Sequence, residues 1–259
     1  MVSNFFLTLD NSDITDLQSV YECRQKISAE LPPIAGIAHG AMVLRDGLAA
    51  TASYSDLMAV LRPKVEGSLN LNRVFHDDKE LDFFIFFSSV ASVFGNPGQS
   101  AYSAANQFMS AIAEQRRKRG CAASVIYLGT VIGAGVVTRE MNATGQLALY
   151  DRGFMPMSEA DVHIAFAEAV RASRPESKEQ AQIITGLRSL PKAATSMSPS
   201  YSWPQFSDLT IPETEGNQST STSTGEISLK DRLIAATSND EVSSIVSGTE
   251  INSAVLTTC

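Results

Sequence analysis

The segment FFSSVASVFGNPGQSAYSAANQF places two hydroxyls and an amide where they could act on one oxygen. Ser89 falls at the end of an apolar run of strand-like composition, and Tyr102 follows 13 residues later at the start of a helical pattern. Asn106 is four positions beyond the tyrosine and shares its face of the helix. Where a carbonyl becomes an alkoxide, the growing negative charge needs hydrogen-bond donors and then a proton, and Ser89 with Tyr102 can provide both. A phenol with a pKa of about 10 relays protons poorly at neutral pH, and a neighbouring ammonium would be useful because it favours the phenolate. Alone, a helix tyrosine is an ordinary packing residue and a strand-end serine a cap. Their joint spacing gives them chemical meaning.

Those side chains meet only if a strand and a helix deliver them to one crevice. LDFFIFFSSV is a continuous β-rich run that suits a central parallel strand covered on both faces. Open α/β sheets bind ligands at the carboxyl ends of such strands. The helix after it carries Tyr102, Ala105, Phe108, Met109, Ile112 and Ala113 as an apolar stripe and ends at Gly120. Upstream, the pattern predicts a strand over 4–9 (NFFLTL) and a helix capped within Asp10 to Asp13 that runs to about Leu31. Pro32 and Pro33 stop it before a buried strand in IAGIAHGAM, and a further helix spans Ser55 to Phe75. Downstream, ASVIYLGTVIG reads as a strand, SEADVHIAFAEAVRAS as a capped helix and AQIITGL as a last strand. This alternation with short connections predicts an α/β, Rossmann-like, doubly wound parallel sheet.

Composition narrows the function. A net charge of −8 and a pI near 4.9 argue against nucleic acid as a partner. The one dense basic run, Arg116 to Arg119, closes a helix and reads as cations at the negative end of its dipole. Cys23, Cys121 and Cys259 match neither a disulfide framework nor a zinc spacing, so no metal is expected. With no basic leader and no apolar run of membrane-spanning length, no membrane partner is expected and the location expected is cytoplasmic and reducing.

The segments PKVEG, FSS, GNPGQSAYSAAN and LGTVIGAG together resemble the active-site stretch of short-chain dehydrogenase/reductases, in the variant found in polyketide-synthase ketoreductases. Common family members carry Tyr-x-x-x-Lys. Here the pattern is Tyr-x-x-x-Asn, and the resemblance assigns the missing cation to Lys64. GIAHGAMVLRDG, SEADVHIAFAEAV and the Trp203 to Ser207 stretch look like fungal highly reducing synthases, including hybrids with peptide synthetases. The resemblance implies reduction of a carrier-bound β-ketoacyl thioester by NADPH. Catalytic roles then fall to Lys64, Ser89, Tyr102 and Asn106, with Ser89 preferred over Ser88 because its separation from the tyrosine matches the family. Asp10, Ala38, His39, Lys64, Tyr102 and Val131 would line the cofactor, and Asp46 and Phe94 would steer substrate and stereochemistry. His39 stands where fungal relatives usually show Asn and reads as a strand-end substitution rather than a new base.

The resemblance also implies a first βαβα segment with a TGG-x-G-x-(G/A) phosphate loop before residue 4, which this sequence does not contain. Its first strand would lie beside the one ending near Ala38, so an unpaired sheet edge is expected there. Residues 1–208 therefore read as a partial ketoreductase domain, 209–227 (with QSTSTSTGE) as a disordered low-complexity linker, and 228–259 as the incomplete start of a carrier-like segment. The expected partners are an acyl carrier domain bearing a phosphopantetheine-tethered polyketide and the remaining synthase domains. Two alternatives stay open: a truncated remnant or interaction module without cofactor grip, and a free-standing dehydrogenase, which Asn106 disfavours.

Overall fold

The computed structural model describes residues 7–76, 81–133, 143–192 and 199–211, with scattered positions between 232 and 245. Of the linker expected at 209–227, residues 209–211 form the end of a 3-10 turn and a short strand, while 212–227 and nearly all of the carrier-like segment lie outside the described residues.

Four parallel strands make the main sheet: β1 (Gly36–His39), β2 (Phe83–Ser89), β3 (Ser124–Leu128) and β6 (Gln182–Ile184), in the order β1-β2-β3-β6. The run that forms β2 is apolar at nearly every position because both of its faces are covered. Phe84 and Phe86 turn toward helix α4 (Ser100–Lys118), where Met109, Ile112 and Ala113 meet them. Ile85 turns the other way and joins Ile126 and Ile183 against helix α6 (Glu159–Ser173). That helix presents Ala165, Ala169 and Ala172 to the sheet, small side chains that allow a close approach. Each large apolar side chain buried in this way contributes on the order of 2 kcal/mol.

Helix α2 (Tyr54–Val74) lies beside α4, and α1 (Leu17–Glu30) packs on α2. Helix α6 starts as its sequence predicts, with Ser158 and Asp161 forming a reciprocal capping box. Short strands β4 (Thr130–Val131) and β5 (Pro156–Met157) pair with each other just beyond β3. Between β3 and β4 the backbones of Gly129 and Gly186 pass so closely that a Cβ on Gly186 would sit 2.5 Å from the Gly129 Cα. Helices α3 (Ala91–Phe94) and α5 (Ala143–Asp151), strands β7 (Leu190–Pro191) and β8 (Thr210–Ile211) and two 3-10 turns between Pro199 and Leu209 complete the described structure.

The amino-terminal expectations need correction. Residues 7–9 form no strand, and Leu7 and Leu9 are exposed because no neighbouring strand lies alongside to satisfy a ladder; positions 4–6 fall outside the described residues. The α1 cap is Asp16, whose carboxylate accepts from the N–H groups of Gln18 and Ser19. Asp13 closes a turn on Thr15.

Arg116 also departs from the expected dipole role. Its side chain is fully buried, with the guanidinium 4.1 Å over the Phe84 ring. It donates to the carbonyls of Ala122 and Phe75, each at 3.0 Å, and to the Asn72 amide oxygen at 3.2 Å. Phe75 is the C-cap of α2, so this cation serves the negative end of a neighbouring helix. Arg117 likewise holds backbone carbonyls, those of Ala172 and Ser177, and only Lys118 stays at the surface, paired with Glu114. Removing Arg116 strands several buried acceptors. Arg116→Leu is expected to lower unfolding stability by about 3 kcal/mol or more in urea denaturation; a loss under about 1 kcal/mol would show that these bonds are dispensable.

Candidate active site

Ser89 is the last residue of β2, in register with Leu128 of β3. The chain then turns into α3, and the Ser89 Oγ accepts from the Ala91 N–H at 3.2 Å, which leaves its own O–H free to donate outward. Ser88 turns inward, is buried and faces the Ser92 hydroxyl at 3.3 Å. Alternation along the strand thus favours Ser89.

Between α3 and α4 the chain bends at Gly95 and Gly98, whose φ angles of 79° and 82° suit only glycine. Tyr102 follows in the first turn of α4, held down by Ala105 and Met109 one and two turns on. Its ring is 9% exposed. Burial raises the phenol above its ordinary pKa, Asn106 and Ser89 partly oppose the rise, and the Asp46 charge adds slightly to it. Neither Asn106 nor Ser89 makes a well-aligned bond to the phenol. The O–H instead donates to Met42 Sδ at 3.9 Å. Asn106 is fully buried beside it, with neither amide atom hydrogen-bonded to protein.

Lys64 reaches the same place from α2. It lies on that helix's buried face with Val60, Gly67 and Ser68, just after the interior Pro63. Its Nζ donates to the Phe87 carbonyl at 2.9 Å and sits 5.5 Å from the centroid of the Tyr102 ring. Burial brings its pKa down to about 8. The lysine expected from another helix, the serine, the tyrosine and the asparagine therefore do share one location at the carboxyl end of β2.

Asp46 accepts from Gln99 Nε2 at 2.8 Å, and Gly47 N–H donates to the Gly98 carbonyl at 2.9 Å. These two contacts latch the loop after β1 onto the start of α4. Gln99 and Met42 were not singled out from sequence; a loop methionine and a residue just before a helix carry no pattern of their own.

Other expected residues lie elsewhere. Phe94 is 2% exposed within an aromatic cluster, its ring 4.8 Å from Tyr201 and 4.7 Å from Phe206, so it faces the core and not the crevice. His39 points into the protein beneath α2, edge-on to Phe86, where Gly67 leaves it room. Burial, helped by the Lys64 charge, lowers its pKa to about 4 and keeps it neutral. Asp10 is at the surface in an ion pair with Lys26 at 2.8 Å. Ala38 is exposed on the sheet face opposite His39, and Val131 is half-buried in β4, paired with Met157.

These residues fit only part of a dinucleotide. The end of β2 gathers Lys64, Ser89, Tyr102 and Asn106, and Ala38 is exposed on β1. A pyrophosphate needs free N–H groups at a helix start. The helices that flank β1 in the chain are already capped by Asp16 and Ser53, and among the described residues β1 pairs with β2 alone. Those two helix starts therefore furnish no phosphate cradle. No helix among the described residues is long and apolar enough to cross a membrane.

Residues 6–133 match the family described as KR domain. The chain is 41% identical over 245 residues to the highly reducing polyketide synthase calA of Penicillium decumbens, covering 93% of this chain and 8% of that protein. It is 44% identical over 239 residues to the polyketide synthase-nonribosomal peptide synthetase ffsA of Aspergillus flavipes, covering 91% of this chain and 6% of that one. The chain thus spans under a tenth of the length of these relatives. Among solved structures, an A1-type ketoreductase superposes with a TM-score of 0.59 at 28% identity, over 70% of this chain and 36% of that chain. The ketoreductase from the first module of phoslactomycin biosynthesis in Streptomyces sp. HK803 gives 0.63 at 26% identity, over 76% and 44%. Residues 6–133, which carry Lys64, Ser89, Tyr102 and Asn106, belong to the KR domain family.

Proposed function

We propose that this chain is the catalytic portion of a polyketide-synthase ketoreductase, reducing a β-ketoacyl thioester held by an acyl carrier domain to the β-hydroxyacyl thioester. The observation that carries this reading is the Lys64 ammonium against the Tyr102 ring, with Ser89 and Asn106 at the same phenol. NADPH, when bound, supplies the hydride. Ser89, whose oxygen already accepts from Ala91, turns its O–H to the substrate carbonyl and polarises it. Tyr102 gives its proton to the oxygen as that oxygen gains charge, and the product leaves as an alcohol. The phenolate left behind is an anion in a buried site, and the Lys64 cation is what makes it tolerable. Asn106, buried with an unpartnered amide, holds the water or ammonium through which the tyrosine regains its proton.

In a synthase-length ketoreductase that contains this chain, Tyr102→Phe is expected to cut thioester reduction by about 100-fold or more, a far larger change than in NADPH binding. Reduction that survives in this variant would sink the assignment of Tyr102. A free small ketone should be largely ignored by the parent enzyme.

Since the helix starts that flank β1 are already capped, weak cofactor binding is expected of the 259-residue chain alone. Titration of the purified chain should show no saturable NADPH binding at concentrations that saturate a complete ketoreductase; tight binding would refute this.

Lys64 adds a pH signature. Its ammonium titrates at about 8 in the fold, against 10.5 for an unperturbed lysine. Below pH 8 the fold carries the full cost of the buried charge, on the order of 3 kcal/mol. From pH 8 to 10.5 the unfolded chain binds the extra proton, so this cost fades and stability rises with pH. Lys64→Met, which also strands the Phe87 carbonyl, should stabilise the fold at pH 7 by about 2 kcal/mol and abolish reduction. Urea melts should show that gain shrinking toward pH 10.5, and a gain independent of pH would contradict the buried-ammonium account.

A further inference from the structure

Tyr102 has a partner that the proposed reaction does not use. Its O–H points at Met42 Sδ, 3.9 Å away, on the loop that follows β1. Met42 is 38% exposed, so its side chain stands between the buried phenol and solvent. The same loop is tied to the start of α4 by Gly47 on Gly98 and by Asp46 on Gln99, which keeps it over the tyrosine. Val43 and Leu48 flank the cap with exposed apolar surface, 37% and 66% accessible.

We infer that Met42 is the resting-state acceptor for the Tyr102 phenol, a cap that the substrate carbonyl must displace to receive the proton. The inference rests on Tyr102 being the proton donor. Its physical basis is the difference between two acceptors. A buried O–H with no partner is costly, and a thioether relieves part of that cost. Sulfur is nevertheless a weak acceptor, so a carbonyl oxygen in the same place forms the stronger bond and exchange is favourable. The unbranched methionine side chain can swing aside among its rotamers, and its neighbours Val43 and Leu48 offer apolar contact to an aliphatic acyl chain. The cap thus keeps the phenol protonated and dry without competing strongly with substrate.

Changing the strength of the acceptor at position 42 tests this. Peroxide converts the thioether to a sulfoxide, the sulfur gaining one oxygen as hydrogen peroxide leaves as water; the S=O group accepts strongly and cannot donate. Lys64, Asp46, Ser89 and Asn106, the groups that face the phenol, stay as they are. In the chain labelled with 13Cζ-tyrosine at neutral pH, Tyr102→Phe assigns the Tyr102 resonance. Met42→Leu is expected to move that resonance one way and oxidation of the wild type the other, while peroxide leaves the Met42→Leu protein unchanged at Tyr102. In a synthase-length ketoreductase, oxidation should raise KM for the ketoacyl thioester several-fold with kcat little altered. Met42→Leu should abolish this sensitivity and have a KM no higher than wild type. A Tyr102 resonance indifferent to the residue at 42 overturns the inference, even if thioester reduction is observed. A resonance that responds in an enzyme that reduces no thioester would instead overturn the proposed reaction and leave the contact established.

Discussion

An ammonium buried beside a phenol is the constraint around which this molecule is arranged. Lys64 has almost no exposed surface, and its charge is held by one backbone carbonyl at the end of β2 and by the face of the Tyr102 ring. Such an arrangement needs three elements in fixed relation: α2 to carry the lysine, β2 to offer the Phe87 carbonyl, and α4 to set the ring. Its desolvation is unfavourable for the fold and brings the lysine pKa down to about 8.

The rest of the structure holds those three elements in place. Arg116 reaches from α4 to the C-cap of α2 and to the turn before β3, so the two site-bearing helices are joined by a second buried cation. Arg24 of α1 caps the same end of α2 through the Val74 carbonyl. On the other side of the site, Phe94, Phe154, Tyr201 and Phe206 form a cluster that fixes the turn following Ser89. The Tyr201 hydroxyl lies between the carbonyls of Gly153 and Arg188, its one proton shared toward the nearer Arg188 oxygen at 2.6 Å, and burial pushes its pKa up to about 12. Phe94 therefore acts on the site through the backbone it anchors.

The loop after β1 shows a second kind of control. It is fastened to the Gly98–Gln99 bend, so its position is set by the same glycine-dependent turn that starts α4. Asp46 is fixed there by Gln99 and biases the phenol by its charge, while Met42 meets the phenol directly. Loop, bend and helix start thus behave as one unit around Tyr102.

Much of this was legible in the sequence. The run at 83–89 is typical of a strand covered on both faces, the stripe from Tyr102 to Ala113 is that of a helix with one apolar face, and Ser158 with Asp161 announced the start of α6. The spacing of Ser89, Tyr102 and Asn106, with the resemblance that added Lys64, singled out side chains that the fold brings together, because periodicity and short-range spacing survive in one dimension. Contacts between distant segments were decided only in the tertiary structure. Leu7 and Leu9 have strand-like composition but no strand alongside to pair with. Arg116 reads as a helix-end cation until α2 brings the Phe75 carbonyl to it. Phe94, His39 and Met42 occupy similar apolar stretches, yet packing sends the first two inward and sets the third on the phenol, since the direction a side chain takes depends on which neighbours leave it room.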